Sequence, residues 1–465
     1  MELKDERPIV VGIGEALFDC FQNVDTNTKE EIALGGAPLI FAYHAAKSHC
    51  RGVIISAVGK DGIGSYLKKQ VTKKGVTPVF NTVDDKNTGL VNVNNDDPNN
   101  PLYSIKKDSA WTEIKLSDDD LKKWAGEAAA VYFGSLASHC GETSKTTIEN
   151  FLKTVPKDCY KIFDVNLRCN QDEYNEDMIR EYVNECNVLK ANEDEIIYVG
   201  RIYGIVEKES DKKENKEDSY TIGKKLMEQY CSNIEILILT KGEKGSTVFW
   251  KDGDKENAKT IYSQSIHISV EPKETVGAGD AMAGAFIGEL LNGRTKSEAH
   301  LFAALRADLV CKEGSMPKIK GTDFFFSYSK KDKEVVDMFY NKFIDSKEYT
   351  VFKDTPDIKP GKKLGNVIGE AIENCQVLIY FSSENANKSP NVIWEIKKAI
   401  LTKKDIIVIK LDDSQYSEEV RQDLETIKYL RFDWYKRTKY LKLSIRRNLD
   451  DNYNEIIDIY KARPI

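Results

Sequence analysis

No apolar run in this 465-residue chain approaches the roughly 20 residues that a membrane span needs. Met1 to Arg7 is charged and lacks the apolar stretch of a secretory signal, so a cytoplasmic protein is expected. Histidine is scarce: His44, His49, His139, His267 and His300 show no metal-ligand spacing, which argues against a zinc site. The nine cysteines include no CxxC pair and read as reduced thiols. An excess of positive charge is missing too. The net charge of −7 argues against nucleic-acid and anionic-membrane partners. No internal repeat is found. What is present suits soluble globular domains, with 31% charged and 41% apolar residues. The chain is too long for one ordinary core, and two or three domains are expected.

Residues 9–13 (IVVGI) form a buried-strand run ending at Gly14-Glu15-Ala16. A third glycine is lacking, and Asp19 and Asn23 interrupt any amphipathic helix, so a dinucleotide fingerprint is not supported. The alternative is a strand whose end places Asp19 in a pocket. Gly35-Gly36-Ala37-Pro38 follows, a glycine pair that lets backbone amides approach a ligand or simply makes a tight turn. Residues 88–105 alternate around a polar tip, as a hairpin or flap would. Strand and helix signals then alternate through VYFGSLA, KIFDVNLR, NVLKANEDEI and IEILILTKG, which indicates a parallel sheet wrapped by helices. Ligands of such sheets bind beyond the strands' carboxyl ends, where Asp19, Arg168, Asn192 and Lys241 are expected. The charged stretch Glu207–Ser219 reads as a solvated surface insertion.

The strongest local signal is TVGAGDAMAGAF. Gly277 and Gly279 permit a turn that gathers N–H groups, and Asp280 opens a helix rich in small residues. Helix N-termini attract phosphate through unpaired N–H groups and the macrodipole. A carboxylate beside such a cradle can take a hydroxyl proton, an assistance typically worth about 10²- to 10⁴-fold. The plainer alternative is a helix capped after a glycine turn.

Together with GEALFD (14–19), GGAP (35–38), VGKDGIG (58–64), TGLVNV and PLYSIKKDSAW (88–111), FDVNLR (163–168), LKANEDE (189–195) and LTKGEKGS (239–246), this segment resembles the ribokinase/fructokinase-like (PfkB) carbohydrate kinases, over roughly residues 8–317. The resemblance implies a large α/β domain with a small β-lid, about 15–30 and 88–111, and transfer of the ATP γ-phosphoryl group to a sugar or nucleoside hydroxyl with Mg²⁺. It makes Asp280 the base, with the amides of Gly277, Ala278 and Gly279 at the anion hole. Asn192 and Glu195 would organise Mg²⁺ and phosphate, Glu195 indirectly. Asp19, Gly35, Gly36 and Arg168 would face the sugar, and Thr240, Gly242 and Gly245 the nucleotide. Ile40 stands where the fructokinase-like pattern has Asn, and Glu274 where it has Asp.

Lys312 to Thr322 mixes charge, Gly, Ser and Pro, as a linker would, with 318–322 as its core. From Asp323 a strand and helix rhythm restarts, and its βα-type units imply a compact flavodoxin-like parallel sheet. A helix is expected over 390–402, capped by Ser389, begun by Pro390, and burying Val392, Ile396, Ala399 and Ile400. Glu395 would sit at the edge of that stripe, facing a cleft.

FFFSYSKKD, FKDTPDIKPGKKLGNVIGEAIENC and SPNVIWEI, in this order, resemble a TIR domain over about residues 321–440, set as 323–440 with a separate helix at 441–465. Asn391 stands where many TIR domains have Trp. The resemblance implies NAD⁺ cleavage to nicotinamide and ADP-ribose, or a cyclic form. Glu395 would be the catalytic glutamate, Phe326, Ser327, Tyr328 and Asp354 would line the nucleotide pocket, and Pro356–Lys363 would be an assembly element. The expectation is a homo-oligomeric effector, joined through lid and TIR domains. In it a sugar- or nucleotide-binding kinase module gates NAD⁺ hydrolysis, as in prokaryotic antiphage defence. The alternative is a working sugar or nucleoside kinase with a TIR scaffold.

Overall fold

Strand runs that are apolar on both faces fold into sheets covered on both sides, and most of this chain is built so. The computed structural model describes residues 5–22, 31–94, 102–168, 174–207, 218–252, 260–267, 275–316, 323–346, 349, 351–353, 368–369, 371–372, 375–402, 404–425, 429–431 and 441–461. The chain divides into two units, mainly residues 1–318 and mainly residues 319–465. The expected linker core, the 208–217 part of the insertion, Glu274, Asp354 and the 356–363 loop lie outside the described residues.

The first unit contains β1 (Ile9–Ile13), β2 (Leu17–Gln22), β3 (Glu31–Gly35), β4 (Arg51–Gly59), β5 (Thr77–Val83), β6 (Gly89–Asn94), β7 (Leu102–Ile105), β8 (Ala128–Gly134), β9 (Tyr160–Asp164), β10 (Val188–Asn192), β11 (Ile236–Thr240), β12 (Ser246–Asp252) and β13 (Thr260–Ile266). Nine of them form one sheet in the order β13-β12-β11-β10-β9-β8-β1-β4-β5. From β11 to β5 every pairing is parallel, and β12 and β13 add an antiparallel edge. Alternate side chains enter opposite cores. Val11, Phe133 and Phe163 pack with Trp111 and Phe151, whereas Val10, Tyr132, Ile162 and Val188 pack with Phe41 and Phe286. The second core is covered by the helices Ala37–Lys47 and Ala278–Leu291.

The lid is a four-stranded sheet in the order β3-β2-β6-β7. β6 and β7 form the expected hairpin, and β2 runs parallel to β6. Asp19 therefore belongs to a lid strand, not to the end of a large-sheet strand, because Gly14 to Ala16 carries the chain from one sheet to the other.

The second unit has the parallel order β15-β14-β16-β17-β18, from Val351–Phe352, Phe324–Ser327, Val377–Ser382, Asp405–Lys410 and Tyr429–Arg431. This is the flavodoxin-like arrangement. The helix Leu441–Lys461 is not a loose tail. Leu449, Ile456 and Ile457 enter the core with Phe339 and Phe343. Among the described residues, no helix is long and apolar enough to cross a membrane.

Candidate functional sites

Strand alternation positions the first site. Tyr132 on β8, Asp164 on β9 and Lys190 on β10 share the sheet face of Ile162 and Val188, and Lys190 is the direct register partner of Asp164. The helix Ala278–Leu291 covers this face and brings Asp280, in its first turn, onto the three side chains. Lys190 Nζ lies 2.7 Å from Asp164 Oδ2 and 3.1 Å from Asp280 Oδ1. The Tyr132 hydroxyl reaches Asp164 and lies 3.1 Å from Asp280 Oδ1. Asp280 is only 4% exposed.

Charge pairing decides how these buried groups ionise. Burial alone would raise the pKa of Asp280, but Lys190 and then Arg168 outweigh it and hold the carboxyl below the usual range. Asp164 goes the other way: burial, with the Asp280 charge added, raises it despite Lys190. Burial opposes the charge on Lys190, yet Asp164 and Asp280 raise its pKa, so the ammonium persists.

The helix begins at Gly277, whose φ of 74° is left-handed. A β-carbon there would fall 2.7 Å from both Ile40 Cδ1 and Ser315 Cβ. The carbonyl of Ser315 is in turn bonded by His44 Nε2 at 2.7 Å, and burial pushes His44 down to about 4. Ile40 thus packs against the glycine turn. The Ala278 N–H donates to the Thr275 carbonyl at 3.2 Å, so it closes the turn. Gly279 stands in the first turn, where no preceding helical carbonyl is available to its N–H. It also lies over Lys190 and Thr240: a β-carbon on it would sit 3.3 Å from Lys190 Cε and 3.8 Å from Thr240 Cγ2.

On the lid side the paired glycines are a steric requirement. A β-carbon on Gly35 would lie 2.2 Å from Asp19 Oδ2, and one on Gly36 (φ 102°) 2.2 Å from the Glu15 carbonyl oxygen. Asp19 is buried. Arg168 is half-buried and acts electrostatically on Asp280, Glu15 and Glu195.

Asn192 and Glu195 form a reciprocal capping box at the helix Glu193–Ile202. Asn192 Oδ1 accepts from Glu195 N and Glu195 Oε2 from Asn192 N, both at 2.8 Å, while Glu195 Oε1 accepts from Leu167 N at 3.1 Å. Burial raises Glu195 to about 7. With both oxygens committed, Glu195 fits an indirect contact with a cation rather than direct ligation. No cluster of three or more His, Cys, Asp or Glu residues suited to a metal occurs among the described residues. Thr240 is the register partner of Asn192, and Gly242 and Gly245 flank the short turn from β11 to β12.

Sequence reading found Asp280 but missed Tyr132, Asp164 and Lys190. Their signal was present: Asp164 and Lys190 are charged residues inside apolar strand runs, where an unpaired charge would be costly.

In the second unit, Ser327 ends β14 and its hydroxyl donates to Glu395 Oε2 at 2.6 Å. Glu395 projects from the helix Pro390–Leu401 and is 1% exposed, buried with Val392, Ile396 and Ala399, whereas Ile400 is only partly buried. Ser389 is the N-cap residue but makes no side-chain capping bond. Phe326, expected at the nucleotide pocket, is not among the residues lining the described cavity. It is fully buried against Phe343 and Phe381, with ring centroids 5.5 and 5.1 Å away, because strand alternation turns it toward the core. Tyr328 lines a cavity of about 310 Å³ together with Lys330, Lys331, Lys388, Asn391 and Val392. Glu395 is not part of its wall; Val392, on the same helix, is.

Comparison with known proteins agrees with this division. Residues 9–317 match the model of the pfkB family carbohydrate kinases, and residues 324–443 match that of the TIR domain. A "Putative sugar kinase" of Pyrococcus horikoshii is 27% identical over 315 residues, covering 65% of this chain and 89% of that protein. "Probable fructokinase-5" of Arabidopsis thaliana is 25% identical over 335 residues, covering 67% and 94%. The crystal structure of an uncharacterized sugar kinase from P. horikoshii in complex with ATP aligns with a TM-score of 0.52 at 25% identity, covering 67% of this chain and 95% of that one. A 2-dehydro-3-deoxygluconokinase structure from Thermotoga maritima, 20% identical with a TM-score of 0.52 over 66% of this chain and 94% of that one, shares the fold. By sequence and by architecture the chain belongs to the pfkB family of carbohydrate kinases, extended at its C-terminal side by a TIR domain.

Proposed function

We propose that the first unit transfers the γ-phosphoryl group of ATP to a hydroxyl of a sugar-type acceptor, with Asp280 as the base. The observation that carries this reading is Asp280 in the first turn of a helix, beside a left-handed glycine turn, held ionised by Lys190. Phosphoryl transfer runs through a loose transition state, so the base is needed late and need not be strong. Asp280 orients the acceptor hydroxyl and takes its proton as the bond to phosphorus forms. The helix N-terminus and Lys190 stabilise the charge on the transferring oxygens. Asp19 and Arg168 hold the acceptor, and Thr240, Gly242 and Gly245 border the nucleotide. Glu195 would be the indirect neighbour of Mg²⁺ carried by ATP, which when bound would supply charge neutralisation at the phosphates. The relatives named as sugar kinase and fructokinase, and the ATP complex of one such kinase, support the same substrate pair. The test is ATP-dependent phosphorylation across a panel of sugars and nucleosides. Asp280→Asn should lower it by about 10²- to 10⁴-fold; full activity in that variant rejects the assignment.

A second activity is favoured by the Ser327–Glu395 contact beside the lysine-rimmed cavity. We infer that the TIR unit cleaves the nicotinamide–ribose bond of NAD⁺, and that ligand binding in the kinase unit controls it within a homo-oligomer. Nicotinamide leaves as a neutral base, so no general acid is required, and Glu395 stabilises the cationic ribose. Nicotinamide release by the full chain, lost in Glu395→Ala, is the expected result; release that survives the substitution excludes this role.

A further inference from the structure

Glu15 has no part in the mechanism above, yet it occupies an unusual place. It lies in the three-residue crossing between β1 of the large sheet and β2 of the lid, and is 3% exposed. The crossing is fixed from behind. Gly14 N donates to the Ile55 carbonyl at 3.1 Å and Ala16 N to Ser56 Oγ at 3.1 Å. Gly36 packs on the Glu15 carbonyl, beside the Gly35 that packs on the Asp19 carboxylate. Oε2 of the Glu15 side chain is buried with no hydrogen-bond partner. Asp280, Arg168 and Asp164 all act on it electrostatically. A buried carboxyl oxygen without a donor is costly to retain unless a ligand supplies one. The amide expected near this wall is replaced by Ile40, whose side chain is committed to the Gly277 turn.

The local charge restricts what that ligand is. Asp280, Arg168 and Asp164 act electrostatically on Glu15, the Asp19 carboxylate lies at Gly35 next along the chain to the Gly36 that packs on Glu15, and the ammonium of Lys190 is already shared by Asp164 and Asp280. A sugar acid or sugar phosphate would add a negative charge to this set, at a cost that low-dielectric surroundings enlarge. A neutral polyol adds none and brings hydroxyl donors.

We propose that Glu15 is an acceptor-specificity residue: its Oε2 receives a hydroxyl of a neutral sugar or nucleoside, and its charge, with that of Asp19, disfavours acceptors bearing a carboxylate or a phosphate. This rests on the kinase reading of the first unit and names the substrate class of that site.

The experiment uses the full chain and reads binding apart from turnover. Calorimetric titration at about pH 8.5, above the value of about 7 to which burial raises Glu15, with a non-hydrolysable ATP analogue present, compares D-fructose, D-ribose and adenosine with gluconate and fructose 6-phosphate. Wild-type protein should bind at least one neutral compound at least tenfold more tightly than either anion. Glu15→Gln, which keeps the side-chain shape, should weaken that neutral ligand about five- to tenfold, improve binding of the anions, and leave affinity for the ATP analogue unchanged. A merely structural role would not improve anion binding. Preference of the wild type for an anion, failure to bind any neutral compound, or an unchanged profile in Glu15→Gln each overturns the assignment. Should Glu15→Gln fold poorly, Glu15→Asp, which withdraws the carboxylate but keeps its charge, should weaken the neutral ligand without admitting the anions; anion binding by Glu15→Asp counts against the proposal. Phosphoryl transfer by wild-type protein is scored separately. Transfer to an anionic sugar leaves the kinase reading standing and removes this one. Selective neutral binding without any transfer does the reverse.

Discussion

The two units each bury a candidate catalytic carboxylate, and the hydrogen-bond donors described at the two differ in kind. Asp280 is met by an ammonium and a phenol, while Glu395 is met by a serine hydroxyl. An ion pair in a low-dielectric interior fixes the ionised state of the acid before any ligand arrives. The first site is therefore electrostatically assembled within its own unit. In the second, Lys330, Lys331 and Lys388 line a cavity of which Glu395 is not a lining residue.

The sharpest break in this comparison is Lys190→Met. It leaves Asp164 and Asp280 without their countercharge, and removing one partner of a buried pair costs about 3–5 kcal/mol. Urea unfolding of the full chain should show an earlier first transition, with phosphoryl transfer lost and nicotinamide release per folded molecule retained. A milder separation comes from pH. Burial raises both Glu15 and Glu195 to about 7, from 4.5 in the unfolded chain. Their contribution to stability is thus fully present below about pH 4.5 and is lost as pH rises through about 7. The midpoint of the first unit should fall between pH 5 and pH 8, and Glu15→Gln should flatten that slope. The smallest effect is Ser327→Ala, which strips a buried donor from Glu395 and should cost the second unit about 1–3 kcal/mol. Thermal unfolding monitored in that unit checks it, with the first unit unmoved.

Much of the architecture was legible because it rests on periodicity and local chemistry. Apolar strand runs separated by helical spacing marked both parallel sheets, and Pro390 with the Val392, Ile396 and Ala399 stripe marked the helix that carries Glu395. The TVGAGD segment announced its glycine turn, since a left-handed N-cap favours a residue without a side chain. The environment of single side chains was less legible: alternation says that Phe326 and Ser327 point opposite ways, but not that both faces of the strand are buried, Phe326 among aromatic rings and Ser327 against Glu395. The Asn192 and Glu195 motif did contain a structural message: its three-residue spacing is that of a capping box, and the structure uses it as one.

By itself the sequence determined two α/β units, the glycine turn before Asp280 and a helix bearing Glu395, because each depends on residues close together in the chain. Tertiary structure alone decided that Lys190 stands between Asp164 and Asp280, that Ile40 and Ser315 brace the turn, and that Glu15 lies buried at the crossing to the lid. Those relations join residues on separate strands and helices, where the pairing register of a sheet and the close approach of backbones set the distances. Charge in a buried site is governed by such distances, so the ionisation of its groups emerged only once the chain was folded.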